Sequence, residues 1–213
     1  VMALARLQND GKQLPRVGMY LDSYGIRLAY GRRPNLKDEE VRNSLYGMIK
    51  DFYNRIPPQF RASVQVSQSD PQDVGNVIFL GSARNFVDYD SSFIDYCNKR
   101  FTKDFGKNLI WIVDEDYTNR ISGYAGVSSY GAGLSTAVND GPKLRIASIG
   151  PGYDNSPVAS ANQARIHSRM GTDTYKKSWD TAISTQPDWI VIDTWNGLNK
   201  SDEITPSIQY GDD

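Results

Sequence analysis

The sequence contains one cysteine, Cys97, and one histidine, His167, in 213 residues. A single cysteine excludes an intrachain disulfide and a zinc site built on several thiolates. With a single histidine, a Ser-His-Asp triad is not expected, and a Cys-His pair would require these two residues to meet. Cys97 lies in the apolar stripe of a predicted helix, so proton transfer would depend on carboxylates, tyrosines or lysines. We predict no metal and no other cofactor.

The chain also lacks a strong net charge and a long apolar segment. Its 24 basic and 25 acidic residues give a net charge of −1. Nucleic acid is therefore not an expected partner, because phosphate contacts require a concentrated basic face. No apolar run approaches the roughly 20 residues that cross a bilayer, so no membrane span is predicted. The N-terminus has no signal-peptide pattern and is typical of the last turns of a helix, so we expect further residues before it.

Short apolar runs recur along the chain, each followed by polar residues or turn formers. They occupy residues 17–22, 76–81, 109–116, 125–131, 144–150 and 188–195. Most are almost continuously apolar rather than alternating. This pattern is typical of parallel β-strands covered on both faces.

Amphipathic helices are predicted between several of these strands, over residues 36–56, 88–106 and 171–188. Strands alternating with helices indicate βαβ units. Either an open doubly wound sheet or a (β/α)₈ barrel could result, but no G-x-G-x-x-G loop follows an early strand, which weakens a nucleotide-binding interpretation. We predict an α/β fold, a TIM barrel that lacks its first one or two β/α units in this chain, with residues 1–213 as a single domain.

Carboxylates and aromatic residues follow strand after strand. Ligands bind at the carboxyl ends of parallel strands, so we expect these side chains to form a rim typical of a carbohydrate site. The candidate substrate-binding residues are Asp22, Tyr24, Tyr130, Tyr153, Asp154, Trp195 and Asn196. Simpler local roles compete with this interpretation: an Asp after a strand is commonly a helix N-cap, Trp111 fits the core, and His167 fits a surface loop.

The stretch "IDTWNGLNKSDEITPS" at residues 192–207 resembles the last strand and loop of glycoside hydrolase family 99, the endo-α-mannosidases, and of related barrel domains. Asn196, Ile204, Pro206 and Ser207 match the family's loop without a gap, and the resemblance extends over about residues 17–211. It implies a (β/α)₈ barrel with two catalytic glutamates. Gly197 and Lys200 occupy those two positions here.

Neither glycine nor a cationic lysine can perform the proton transfers of glycoside cleavage. The resemblance therefore implies a degenerate glycosidase-like barrel that binds carbohydrate or has a structural role, in an extracellular or cell-surface protein. A place as a subunit of a larger extracellular assembly is a further possibility. The alternative is an active hydrolase on a mannan-type or other polysaccharide, with a relocated carboxylate pair. Candidates for that pair are Asp114, Asp116, Asp154 and Glu203.

Overall fold

The structure is a computed structural model that describes residues 2–66, 73–160, 162–208 and 210–211. The chain divides into two compact units, one ending at Ala125 and the other beginning at Gly126. No helix in the described parts of the chain is both long enough and apolar enough to cross a membrane.

The first unit is an α/β layer with a mainly parallel sheet. Its helices are α1 (Met2–Asn9), α2 (Ser23–Tyr30), α3 (Glu39–Arg55) and α4 (Ser92–Phe105). Its strands are β1 (Met19–Leu21), β2 (Ser63–Gln65), β3 (Val74–Leu80) and β4 (Asn108–Asp114). Strand β3 lies between β1 and β4 and is parallel to both, while β2 pairs antiparallel with the first residues of β3.

One apolar core holds the helices of the first unit against this sheet. Trp111, on β4, is fully buried and packs edge-to-face against Phe93 of α4. Cys97 is also fully buried on α4, as its position in the apolar stripe predicts. The Tyr53 hydroxyl of α3 donates a 2.6 Å hydrogen bond to the carbonyl of Val77, which satisfies a polar group inside the core.

The second unit combines a three-stranded sheet, a short hairpin and one helix. Its strands are β5 (Gly126–Ser128), β6 (Ala137–Asp140), β7 (Arg145–Ile149), β8 (Tyr153–Asp154), β9 (Ile166–His167) and β10 (Trp189–Ile192), and its helix is α5 (Asp173–Ser184). Strand β7 is parallel to β10 and antiparallel to β6. Ala182 of α5 packs with Ala147 and Ile149 of β7 in a small apolar core.

The predicted α/β class with parallel strands is confirmed. Each of the six apolar runs overlaps an observed strand, and each predicted helical segment contains an observed helix. The sequence analysis did not predict helix α2 or strands β2, β6, β8 and β9. Closure of the strands into a barrel and the single-domain organisation stay predictions.

Candidate functional site

In the first unit, Asp22 and Tyr24 lie where β1 ends and α2 begins. The Asp22 carboxylate accepts a 3.0 Å hydrogen bond from the backbone N–H of Tyr24 and is the N-cap of α2. This is the local role that competes with sugar binding at Asp22. The Tyr24 side chain is exposed on the first turn of the helix.

Asp114 and Asp116 follow β4 at the same carboxyl edge of the first sheet. Asp116 accepts hydrogen bonds from the Ser82 hydroxyl (2.6 Å) and the Ala83 backbone N–H (2.8 Å), so its carboxylate fixes the turn after β3. Burial, assisted by the nearby charge of Asp116, raises the pKa of Asp114 to about 6. Asp114 is therefore the carboxyl group at this edge that can exchange a proton under mildly acidic conditions.

In the second unit, the β8–β9 hairpin forms one wall of a cavity of about 320 Å³. That volume is at the lower end of the range for small-molecule sites. The wall combines aromatic, charged and hydroxyl side chains with two exposed apolar ones. The lining residues are Tyr153, Asp154, Ile166, His167, Ser168, Arg169, Met170, Gly171, Ser201 and Tyr210.

Tyr153 and Asp154 are the two predicted ligand-binding residues that line this cavity. Hydrogen bonds from the side chain and the backbone N–H of Ser156 lower the pKa of Asp154, which keeps this carboxylate ionised. The Asp154 backbone N–H donates to the Lys200 carbonyl at 2.7 Å, which ties the hairpin to the loop after β10. Burial raises the pKa of Tyr153, so its hydroxyl stays protonated and can donate to a ligand.

Arg169 is held on several sides in the cavity wall. Its Nη1 donates to the Glu203 carbonyl at 2.9 Å and lies 4.0 Å from the Glu203 carboxylate oxygen Oε2. Its guanidinium lies 4.1 Å from the ring centre of Tyr210. The stem lies so close to Gly152 that a Cβ there would be 2.7 Å from Cγ of Arg169. The arginine is therefore pre-organised, with further N–H donors left for a ligand.

His167 has a tautomer fixed by its hydrogen bond. Its Nδ1 lies 2.8 Å from the carbonyl oxygen of Gly133. A carbonyl can only accept, so Nδ1 carries the hydrogen and Nε2 is the acceptor in the neutral ring. In the neutral ring, Nε2 is thus an acceptor in the cavity wall beside the donors of Arg169.

Three buried carboxyl groups follow β10 in the chain. They belong to Asp193, Asp202 and Glu203. Asp193 Oδ2 accepts hydrogen bonds from the backbone N–H groups of Gly131 (2.6 Å) and Ala132 (3.2 Å). Burial nevertheless raises the pKa of Asp193. The peptide bond after Asp193 is cis.

Asp202 occupies the space in front of Gly197. A Cβ added to Gly197 would overlap Oδ1 of Asp202 and would lie 2.7 Å from its Cγ and 2.6 Å from the Thr194 hydroxyl. Burial, more than the nearby charge of Asp193, raises the pKa of Asp202 to about 6. Position 197 therefore cannot carry a side chain while Asp202 keeps this conformation.

Lys200 places a positive charge beside these acids. Its Nζ donates to the Tyr130 hydroxyl and lies 4.4 Å from the centre of the Tyr130 ring. Burial acts to lower the pKa of Lys200, but the hydrogen bond to Tyr130 and the nearby charges outweigh it, so the pKa is raised and the lysine stays cationic. The exposed side chains of Trp195 and Asn196 follow β10 and do not line the cavity.

No group of three or more His, Cys, Asp or Glu residues in the described ranges is arranged to hold a metal ion.

The sequence matches a protein family over residues 21–209. The chain belongs to the family described as a domain of unknown function (DUF5010). No curated protein matches this member of the family.

Solved structures with a similar fold include two of the GH99 endo-alpha-mannosidase from Bacteroides thetaiotaomicron. One, in complex with bis-tris-propane, has a TM-score of 0.54 and 14% sequence identity, and the match covers 79% of this chain and 56% of that chain. The other has a TM-score of 0.54 and 15% sequence identity, and the match covers 79% of this chain and 52% of that chain. This DUF5010 chain therefore has a GH99-like fold and spans just over half the length of those proteins.

The sequence analysis missed Arg169, Tyr210 and the packing role of Asp202. Asp202 and Glu203 stand next to the loop positions that the resemblance singles out, so their carboxylates were visible there. Arg169 stands in a polar stretch without strand or helix periodicity, and pairing of β8 with β9 brings it to the cavity. The stretch "GPGYDN" at residues 150–155 was the available signal for this part of the site.

Proposed function

We propose that this chain is a glycan-binding module built on a glycosidase-like (β/α)₈ barrel that lacks the acid pair of a glycosidase. The observation that carries the proposal is the cavity of the second unit, where aromatic rings and a pre-organised arginine stand beside an ionised aspartate. Aromatic faces stack on the C–H faces of sugars, and carboxylates accept hydrogen bonds from their hydroxyl groups. The GH99-like fold supports the same class of ligand.

The chemistry at positions 197 and 200 supports binding rather than cleavage. Gly197 has no side chain, and Lys200 remains cationic. The nearby Asp202 and Glu203 are each only 1% exposed, so their carboxyl groups do not reach a ligand in this conformation. Asp154 faces the cavity but is held ionised, and one carboxylate does not make a pair.

From the family resemblance we also propose that the module belongs to a secreted or cell-surface protein, and that membership of a larger extracellular assembly is one form this could take.

Binding can be tested by calorimetry with short oligosaccharides from α-mannan and other polysaccharides. We expect Asp154→Asn to weaken binding by about 10-fold, because hydrogen bonds to a charged acceptor are stronger than those to a neutral amide oxygen. Asp51→Asn is the matched control, since Asp51 lies on α3 and pairs with Arg55 on its surface. Failure of the unaltered chain to bind any oligosaccharide would refute the proposal.

Hydrolysis is the alternative, and the position of Asp154 in the cavity wall is the observation that favours it. The same oligosaccharides can be assayed for release of new reducing ends. Turnover that disappears in Asp154→Asn, while Asp51→Asn keeps it, would establish a hydrolase in place of a binding module.

A further inference from the structure

The four methionines of the chain differ in how far they are exposed to solvent. Met19 and Met48 are partly buried and pack against the core of the first unit. Met2 and Met170 are 80% and 70% exposed. Met170 lies in the wall of the cavity, whereas Met2 lies on α1. Met170 is therefore the exposed methionine at which a chemical change of the side chain would alter the cavity.

The turn before α5 holds Met170 in this position. Its backbone N–H donates a 3.2 Å hydrogen bond to the Ser168 hydroxyl, and its carbonyl accepts one of 3.3 Å from the Asp173 N–H. Met170 and the following Gly171 have φ angles of 51° and 64°, in the left-handed region. A residue other than glycine stays in that region only where its surroundings fix it. The backbone on both sides of Met170 is thus anchored, which keeps the side chain in the cavity wall.

The cysteine of the chain does not compete for an oxidant. Cys97 is fully buried, and burial raises the pKa of its thiol to about 12. Oxidants attack the thiolate, so a buried thiol with this pKa is inert. A thioether has no proton to lose, so access to its sulfur decides how readily a methionine reacts.

We propose that Met170 is a site of reversible oxidation by peroxides and that its oxidation weakens ligand binding in the cavity. The effect on binding rests on the proposed glycan-binding function. Hydrogen peroxide transfers one oxygen atom to the Met170 sulfur: the sulfur–oxygen bond forms as the O–O bond breaks, the sulfur loses two electrons, and the peroxide is reduced to water. Methionine sulfoxide reductases reverse the oxidation and restore the thioether.

Oxidation replaces an apolar group of the cavity wall with a hydrogen-bond acceptor. Met170 and Ile166 are the exposed apolar side chains among the lining residues, and they offer an apolar surface to the C–H faces of a sugar. The sulfoxide oxygen stands in the same wall as the donors of Arg169 and competes with ligand oxygens for them. We expect an overall loss of about three- to tenfold in affinity, since the burial of one methylene group alone is worth about fourfold.

Peptide mapping by mass spectrometry after timed exposure to hydrogen peroxide tests the oxidation without a ligand. In the folded chain we expect Met2 and Met170 to become sulfoxides severalfold faster than Met19 and Met48. The chain unfolded in urea is the control, and there all four methionines should react alike. Reductase should return Met170 to the thioether. A folded chain in which Met170 reacts as slowly as Met48 would overturn the inference.

Two matched variants test the effect on binding. Met2→Leu leaves Met170 exposed to the oxidant, and Met170→Leu leaves Met2. Calorimetry with short α-mannan oligosaccharides, before and after peroxide, should show a loss of about three- to tenfold in Met2→Leu, reversed by reductase, and no loss in Met170→Leu. Circular dichroism checks that the oxidised chains stay folded.

The outcomes separate this inference from glycan binding itself. Complete oxidation of Met170 without a loss of affinity, or an equal loss in Met170→Leu, would overturn the effect on the cavity and leave glycan binding intact. If the unaltered chain binds none of the oligosaccharides, glycan binding is refuted together with the effect on it, and the peptide mapping alone decides whether Met170 is an oxidation site.

Discussion

Replacement of Gly197 by alanine tests whether Asp202 occupies the space of a side chain at position 197. The new Cβ would overlap Oδ1 of Asp202 and would lie only 2.7 Å from its Cγ. Carbon atoms pack at about 3.5–4.0 Å, so Cγ would have to retreat by roughly 1 Å, and the overlapping Oδ1 would have to move further. Gly197 does not have a positive φ, so the alanine adds no backbone strain.

The carboxyl group has little room to retreat. Asp202 is 1% exposed, and its carbonyl accepts a 3.0 Å hydrogen bond from the Thr194 backbone N–H. The Ile204 N–H donates to the Thr194 carbonyl at 3.0 Å, which fixes the chain on the other side of Asp202. Overpacking of this kind costs about 1–3 kcal/mol, against a gain of about 0.4–1 kcal/mol from the stiffer unfolded chain. We therefore expect a net loss of about 1–2 kcal/mol.

Thermal unfolding followed by circular dichroism measures the loss. For a chain of this length, about 2–4 °C correspond to 1 kcal/mol, so Gly197→Ala should lower Tm by about 3–6 °C. In an Asp202→Ala background the same change should cost clearly less, because only the close approach to the Thr194 hydroxyl remains, and the difference is a coupling of about 1–3 kcal/mol. Gly47→Ala is the control: no atom lies within 4 Å of its Cβ on α3, so it should stabilise by about 0.5–1 kcal/mol.

A Gly197→Ala chain as stable as the unaltered one would show that Asp202 does not fill this space. A loss that persists undiminished in the Asp202→Ala background would also contradict the reasoning, because the clash would then involve another group.

Two further predictions concern the protonation of Asp202. Its pKa of about 6 lies above the value of about 3.9 for an unfolded aspartate, so the folded chain binds more protons between these pH values and loses stability as pH rises through them. The Asp202→Asn variant should not show this loss. In urea unfolding, the free energy of unfolding of the variant minus that of the unaltered chain should increase by up to about 3 kcal/mol between about pH 4 and about pH 7.5. A difference that does not change with pH would contradict the prediction. Lys200→Met should raise the pKa of Asp202 further, because the charge of Lys200 lowers it, whereas Lys200→Arg keeps the charge and should not. NMR titration of the Asp202 carboxyl group measures the pKa in both variants. A lower pKa in the methionine variant would refute the influence of Lys200 on Asp202.

The sequence predicts the parts of the fold that depend on local patterns. The continuous apolar run at 109–116 covers all of β4 except its first residue, and the apolar stripe of α3 ends before Pro57 and Pro58, as proline requires. Strands β8 and β9 have only two residues each, too few for an alternating pattern to be visible. Helix α2 has eight residues, and only Ser23 and Ile26 among them are buried.

The residues of the candidate site also divide into those that a local sequence pattern predicts and those that depend on contacts between distant residues. Tyr153 and Asp154 can be predicted, because polar residues directly after a strand lie at the ligand-binding edge of a parallel sheet. Arg169 and Tyr210 reach the cavity through pairing and packing between residues far apart in the chain. The fit of Asp202 against Gly197 is a matter of atomic packing, which no pattern of residue types encodes.

The packing at Gly197 bears on positions 197 and 200, which the family resemblance compares with two catalytic glutamates. A side chain at 197 and Asp202 in its present conformation exclude each other, so a change at position 197 also requires a change at position 202. A glutamate at 200 would replace the cation beside Asp193 and Asp202 with a third acid, in a place where burial already raises the pKa of both. Installing glutamates at 197 and 200 alone should therefore destabilise the loop rather than create a glycosidase, and a change at Asp202 is needed before acids at those positions could be tested as catalysts.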